Sequence, residues 1–398
     1  MAAGCAEEDR DLRQGCASKV EVGFVKNCAY PRLHPLMASI RNVSRAAILL
    51  ALVMGCGFHA FAENKPIRLT DATGRVVELA KIPQRLVVIG TGPFMALHLL
   101  YAFPEGRQRL VGVEKKGTTV SDFLPLLDSS FNTKAVLSLN PNVEHIAALK
   151  PDLVILKGTT IDRYGESLAK GRIPTLYLAL ETPEQFSRDV TNVGLVLGNP
   201  KRANEILAFY RKRLDRLREG TASLKDADKP RVLLLEYSDR GGRMAVRVPA
   251  KSYMQTIQVQ TAGGTPVWLE ATLGSEGYTV VNFEQIAGWN PDKIFVVVWY
   301  ALDPKKAIQD LKSDPQWSAL KAVANGQLYA FPSDIFGWDT PEMRWILGMN
   351  WLATRMHPER FGDIDMKAEL MAFFGQIFGM DKASIEAVIL PKVKMNVR

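Results

Sequence analysis

Cysteine is scarce in this 398-residue chain and stops early. The four cysteines are Cys5, Cys16, Cys28 and Cys56, and no thiol follows them. Their spacing fits no zinc pattern, and the thiol-free remainder excludes a disulfide scaffold while suiting an oxidising compartment. Histidine is almost as rare, with five in all. His98, His145 and His357 stand far apart, so no His/Asp/Glu cluster has metal-ligand spacing and a naked metal ion is a poor ligand. No Gly-x-Ser-x-Gly elbow, His-Glu-x-x-His helix or Walker glycine–lysine loop occurs, and the chain is read as a non-enzyme. Blocks of Arg and Lys interleaved with aromatics are missing. A formal charge of +8 with 23% charged residues is only mildly basic, so nucleic acid is not an expected partner.

Long hydrophobic runs are missing as well. The longest near the N-terminus, Ala46–Gly55, has ten residues, too short to span a bilayer as a stable helix. It follows Met37-Ala-Ser-Ile-Arg-Asn-Val-Ser-Arg45 and precedes Ala60-Phe-Ala62. That order is the n-region, h-region and small-residue cleavage site of a secretory signal. Residues 1–62 are therefore expected to be an over-extended start followed by a signal peptide beginning at Met37. Val53-Met-Gly-Cys56 offers a lipoprotein alternative, with the chain lipid-anchored at Cys56. Either processing route exports the protein to the periplasm.

What the sequence has in quantity is short apolar runs separated by amphipathic stretches. Leu86–Gly90, Leu110–Val113, Leu153–Leu156 and Thr175–Leu178 read as buried strands with helices between them, the pattern of a parallel sheet covered on both faces. Thr182-Pro-Glu-Gln185 opens a helix that Gly198-Asn-Pro200 stops. A second helix runs from about Lys201 to Glu219, about 30 Å at 1.5 Å per residue. The pattern then restarts with strands at Arg231–Tyr237, Ile294–Val298 and Gln327–Phe331, a helix from Glu342 to Met356 and an amphipathic tail over 363–389. The expected division is an N-terminal α/β lobe over 63–197, an interdomain helix over 198–222 and a C-terminal α/β lobe with a helical tail over 223–398.

An internal repeat supports two equivalent lobes. Glu144-His-Ile-Ala-Ala-Leu-Lys-Pro-Asp152 and Glu284-Gln-Ile-Ala-Gly-Trp-Asn-Pro-Asp292 share the pattern Glu-x-Ile-Ala-x-x-x-Pro-Asp, and each leads into a buried strand. With Asp71-Ala-Thr-Gly-Arg75, Pro83–Ile89, Asp314-Pro-Gln-Trp317, Ala322–Gly326 and Trp338-Asp-Thr-Pro341, these segments make the chain resemble a known family. It resembles the class III, helical-backbone substrate-binding proteins of ABC importers for ferric siderophores, haem, cobalamin and related metal complexes. The resemblance covers about 67–361. It implies two Rossmann-like lobes with central parallel sheets joined by a single long α-helix, a ligand cleft between the lobes, and an inner-membrane ABC permease as partner. It also implies that one exposed glutamate per lobe docks on that permease; by position these are Glu144 and Glu284. The chain is expected to act as a monomer.

Ligands of α/β sheets gather at the carboxyl ends of strands. The segments there supply Thr91, Phe94 and Met95, then Lys115 and Lys116, then Lys157 and Arg163. In the second half, Ser238–Arg243 is read as a loop carrying Arg240 and Arg243, followed by Trp299 and Tyr300, then Trp338 and Arg344. Glycine lets backbone N–H groups approach a ligand, while hydroxyls and cations favour an anion. The expected ligand is an anionic iron complex of the ferric siderophore type, with molybdate or tungstate as the alternative. No cofactor is expected.

Overall fold

The structure is a computed structural model that describes residues 66–115, 123–240, 243–298 and 302–396; at 239, 240, 243 and 244 it describes the backbone alone. The expected signal peptide, Cys56, Lys116, Trp299 and Tyr300 lie outside the described residues.

A hairpin of β1 (Ile67–Thr70) and β2 (Val76–Leu79) comes first. Its turn explains Asp71-Ala-Thr-Gly-Arg75. Asp71 Oδ1 accepts from the Thr73 amide at 2.9 Å, Gly74 takes φ 82°, and the Arg75 guanidinium lies over the Tyr177 ring at 4.4 Å. The first sheet contains β3 (Leu86–Val88), β4 (Leu110–Glu114), β5 (Ala135–Leu137), β6 (Leu153–Lys157) and β7 (Thr175–Leu178). All are parallel, in the order β5-β4-β3-β6-β7. The order therefore reverses between β3 and β6, and that is where such a sheet opens a crevice for a ligand.

The second sheet contains β8 (Arg231–Arg240), β9 (Arg243–Val248), β10 (Thr265–Pro266), β11 (Thr279–Val281), β12 (Lys293–Val298) and β13 (Leu328–Ala330). Its order is β11-β9-β8-β12-β13, with β10 beside the start of β8. The strands β8, β10, β12 and β13 run parallel, and β9 and β11 are added antiparallel. The sheet is mixed because β8 overruns its expected end at Tyr237 and turns straight into β9. Ser238–Arg243 is thus a hairpin rather than a loop: Arg240 and Arg243 are directly opposed in its register.

Between the sheets stand two capped helices. Thr182 Oγ1 accepts from the Gln185 amide at 3.2 Å to open Pro183–Leu197, and Gly198 ends it at φ 72°. Asn199 Oδ1 then accepts from the Arg202 amide at 3.0 Å to open Pro200–Thr221. This 22-residue helix is about 33 Å long. The two helices touch closely at Gly194, where an added Cβ would come within 2.6 Å of the Ala203 Cβ. Arg202 donates to the Ala102 carbonyl on the first sheet's side at 3.0 Å and to the Gln376 and Ile377 carbonyls of the tail at 2.7 Å. The tail helix, Met366–Phe378, is shorter than the amphipathic pattern suggested, since Gly379 takes φ 68° and ends it. The helix expected from Glu342 begins only at Trp345, because the Glu342 carboxylate bonds the Arg344 amide and holds a turn there.

The repeat is a structural repeat. Residues 141–150 and 281–290 alternate between buried and exposed positions in the same order. Asn142 and Asn282 each cap the following helix by accepting from the third amide along, both at 2.9 Å. Lys150 and Asn290 both take positive φ at the helix ends. Asp152 Oδ2 accepts from the Arg85 amide at 3.1 Å, and Asp292 Oδ2 from the Arg231 amide at 3.0 Å. The two arginines in turn donate to the Leu149 and Trp289 carbonyls, both at 2.7 Å. Ile146 and Ile286 fill the core beneath, each at most 1% exposed. Structure thus accounts for the shared isoleucine and aspartate of the motif but not for the glutamate. Glu144 and Glu284 are exposed and take part in no side-chain hydrogen bond or ion pair among the described residues.

Candidate functional site

The crevice side of the first sheet is built around Glu114. Placed at the end of β4, it is 2% exposed, and its two oxygens accept from the amides of Gly90 at 2.6 Å and Asn140 at 2.9 Å. It thereby ties the ends of β3, β4 and β5 together. Gly90 and Gly92 take φ 94° and 63°, which leaves Thr91 exposed at the tip of the turn. A Cβ at Gly90 would sit 3.1 Å from Thr160 Cγ2, so glycine is needed to bring this turn against the one after β6. Helix Pro93–Tyr101 follows with Phe94 and Met95 half-buried on its first turn.

Two of the expected cations are already engaged. Lys157 is 4% exposed, forms an ion pair with Glu181, and lies 3.6 Å from Met95 Sδ. Arg163, exposed, donates to Asn140 Oδ1 at 2.6 Å. Lys115 is exposed. Glu181 stands just after β7, at a strand end that the sequence reading passed over.

On the second sheet, Glu236 of β8 pairs with Arg247 of β9 at 2.6 Å. The Arg247 guanidinium lies 4.8 Å from the centre of the Tyr278 ring, and Tyr278 meets Tyr253 edge-on at 5.3 Å. Burial raises the Tyr253 hydroxyl above the ordinary tyrosine value, and the Glu181 carboxylate of the first sheet raises it further. None of Tyr253, Tyr278 and Arg247 was expected. The alternation of Val246, Arg247 and Val248 marks Arg247 as the outward residue of a strand, but only after β9 is recognised as one.

A second meeting of the lobes is apolar outside and ionic within. Phe94 stacks on Phe336 at 5.0 Å and 16°. Behind them His98 Nδ1 lies 2.9 Å from Glu342 Oε2. Arg344 donates from Nε to both oxygens of Asp334 at 2.8 and 2.9 Å, and from Nη1 to Glu342 at 3.0 Å. His98 and Arg344 have no exposed surface. Burial lowers the His98 pKa, so the ring is neutral; burial works to raise Glu342, but the Arg344 charge and the His98 bond together hold it below the usual carboxylate range. Trp338 is also fully buried, with Nε1 donating to Asp334 Oδ2 at 2.9 Å. Trp338 and Arg344, expected at the ligand, are thus committed to a network that joins the lobes. Sequence reading had placed Arg344 by its loop alone; nothing in that loop announced two acids and a histidine converging on it.

Two sheets whose carboxyl ends face one crevice, joined by one long helix, with no catalytic constellation among these residues, define a two-lobed binding protein. The sequence profile of the periplasmic binding protein family matches residues 114–335, more than half of the chain, and the chain belongs to that family. It is a non-enzymatic solute-binding component of an ABC transporter. It is similar to the molybdate-binding protein MolA of Haemophilus influenzae, with 23% identity over 354 residues, 84% of this chain and 96% of that one. The Fe(3+)-citrate-binding protein YfmC of Bacillus subtilis is 26% identical over 271 residues, 67% of this chain and 79% of that protein. A periplasmic solute-binding protein from Veillonella parvula superposes with a TM-score of 0.65 at 21% identity, covering 82% of this chain and 97% of that one. None of the described helices is long and apolar enough to cross a membrane.

Proposed function

We propose that this protein captures an anionic iron complex of the ferric siderophore type in the crevice between its sheets and delivers it to an ABC permease in the inner membrane. The observation that carries the reading is the aromatic and cationic lining contributed from both sides. Phe94, Lys115 and Arg163 lie on one side; Tyr253, Tyr278 and Arg247 lie on the other. Aromatic faces suit a chelate with an organic shell better than a bare ion. Among the described residues no group of three His, Cys, Asp or Glu could hold a metal directly, so the metal would arrive already chelated. Glu144 and Glu284 are the handles for the permease, each meeting a guanidinium bidentately.

Molybdate is the second reading. The Gly90-Thr91-Gly92 turn puts backbone amides at a helix start, which suits a small oxyanion, and a molybdate-binding relative exists. Calorimetric titration with ferric citrate, a ferric catecholate and molybdate separates the two. Micromolar or tighter binding of a ferric chelate with no response to molybdate supports the first reading, and the opposite pattern replaces it.

A further inference from the structure

A cavity of the protein lies outside the crevice. It has a volume of about 620 Å³, and no residue before Asp303 lines it. Its walls come from the start of helix Pro304–Ser313, the start of helix Met366–Phe378, Trp338, and the last turn of the tail. The tail is held over it by paired backbones: the Lys394 amide donates to the Ser333 carbonyl at 2.8 Å. Trp338, Met366 and Leu370 are buried behind the floor, and the half-buried Leu390, Val393 and Met395 give the cavity its apolar surface. The rim carries three lysines, Lys305, Lys367 and Lys394, each from a different segment.

These lysines differ from their neighbours. Lys306 pairs with Asp310 at 2.5 Å and Lys321 with Asp292 at 2.8 Å, as surface lysines commonly do. Lys305, Lys367 and Lys394 have no acidic partner among the described residues. The carboxylate at the rim, Asp303, accepts from the Lys305 amide at 3.0 Å as the helix cap. A concave site lined by one sign of charge concentrates ions of the other sign, and a volume in the ~300–1,000 Å³ range holds a small organic molecule.

We infer that this cavity is a second binding site, for an amphiphilic anion: an apolar body seated against Leu390, Val393 and Met395, with a carboxylate or phosphate head among the three lysines. The site stands apart from the crevice and does not depend on which solute the crevice takes. Two sources share that chemistry, a free fatty-acid-like anion and the acyl chain and phosphate head of a membrane phospholipid.

The test uses the full exported chain. Dodecanoate is titrated by calorimetry, with dodecanol and acetate as half-ligands, and co-sedimentation is measured with phosphatidylglycerol and with phosphatidylcholine vesicles. Dodecanoate should bind once per chain, at least tenfold more tightly than either half-ligand. Lys305→Ala/Lys367→Ala/Lys394→Ala should weaken it at least tenfold while leaving the response to the crevice solute unchanged. Val393→Trp, which fills the cavity from its edge, should abolish it. Sedimentation with phosphatidylglycerol alone, lost in the triple variant, would support the site and assign it to lipid. Absence of both interactions, or dodecanoate binding that survives the triple variant, overturns the inference.

Discussion

Asp339 is a buried acid with poor company, and replacing it with asparagine should make the protein more stable above neutral pH. Its Oδ2 accepts a 3.3 Å bond from Gln255, and no ion pair is formed with it among the described residues. Burial is the main cause that pushes its carboxyl up to about 6, and the Glu236 and Glu342 charges add to it. In the unfolded chain the same group has the ordinary aspartate value of 3.8. The folded state therefore holds the proton more tightly, and the stability this gives is complete below 3.8 and lost as pH rises through about 6. A rise of about two pH units corresponds to about 3 kcal/mol. Asp339→Asn keeps the shape of the protonated acid without the titration. At pH 8 it should exceed the parent by about 1–3 kcal/mol, and below about pH 4 the two should agree within about 0.5 kcal/mol. Urea unfolding followed by tryptophan fluorescence from pH 4 to 8 gives the difference curve. A difference that is flat across that range, or a variant less stable than the parent at pH 8, refutes the reasoning.

Three other outcomes are expected. Arg344→Leu strands the carboxylates of Asp334 and Glu342 in the interior and should cost about 3–5 kcal/mol, read as a lower urea midpoint; adding Asp334→Asn and Glu342→Gln should recover part of it. His98 is neutral when folded because burial lowers its pKa. Its contribution is therefore full above the unfolded value of 6.5 and is lost as pH falls; His98→Gln should flatten that acid limb in the same urea series. Glu144→Ala and Glu284→Ala should change stability by no more than about 0.5 kcal/mol and leave solute titrations intact, while uptake by cells carrying the permease falls, most in the double variant.

Much of the frame was legible because its residues do one local job. Continuous runs such as Leu153–Leu156 can only be buried strands in this context, and Thr182 and Asn199 cap helices by rules that need no tertiary information. The repeat was legible for the same reason: Ile146 and Asp152, like Ile286 and Asp292, are fixed by contacts within one βαβ neighbourhood. The site was less so. Lys157 read as a free cation because Glu181, its partner, belongs to another strand end 24 residues on. Arg344 meets His98 across 246 residues, and no local pattern encodes that meeting. The β8–β9 hairpin escaped because Ser238–Arg243 has the composition of a loop, and its pairing is set by the sheet it joins.

Arg202 has a consequence for how the molecule comes apart. One side chain holds a carbonyl from the first sheet's side and two from the tail, and the larger of two hydrophobic core clusters draws residues from both halves, from Leu69 to Ile389. Neither half can loosen without breaking bonds that also belong to the other. The protein should therefore melt as one cooperative unit, and a protease should find no point at which one half is released still folded.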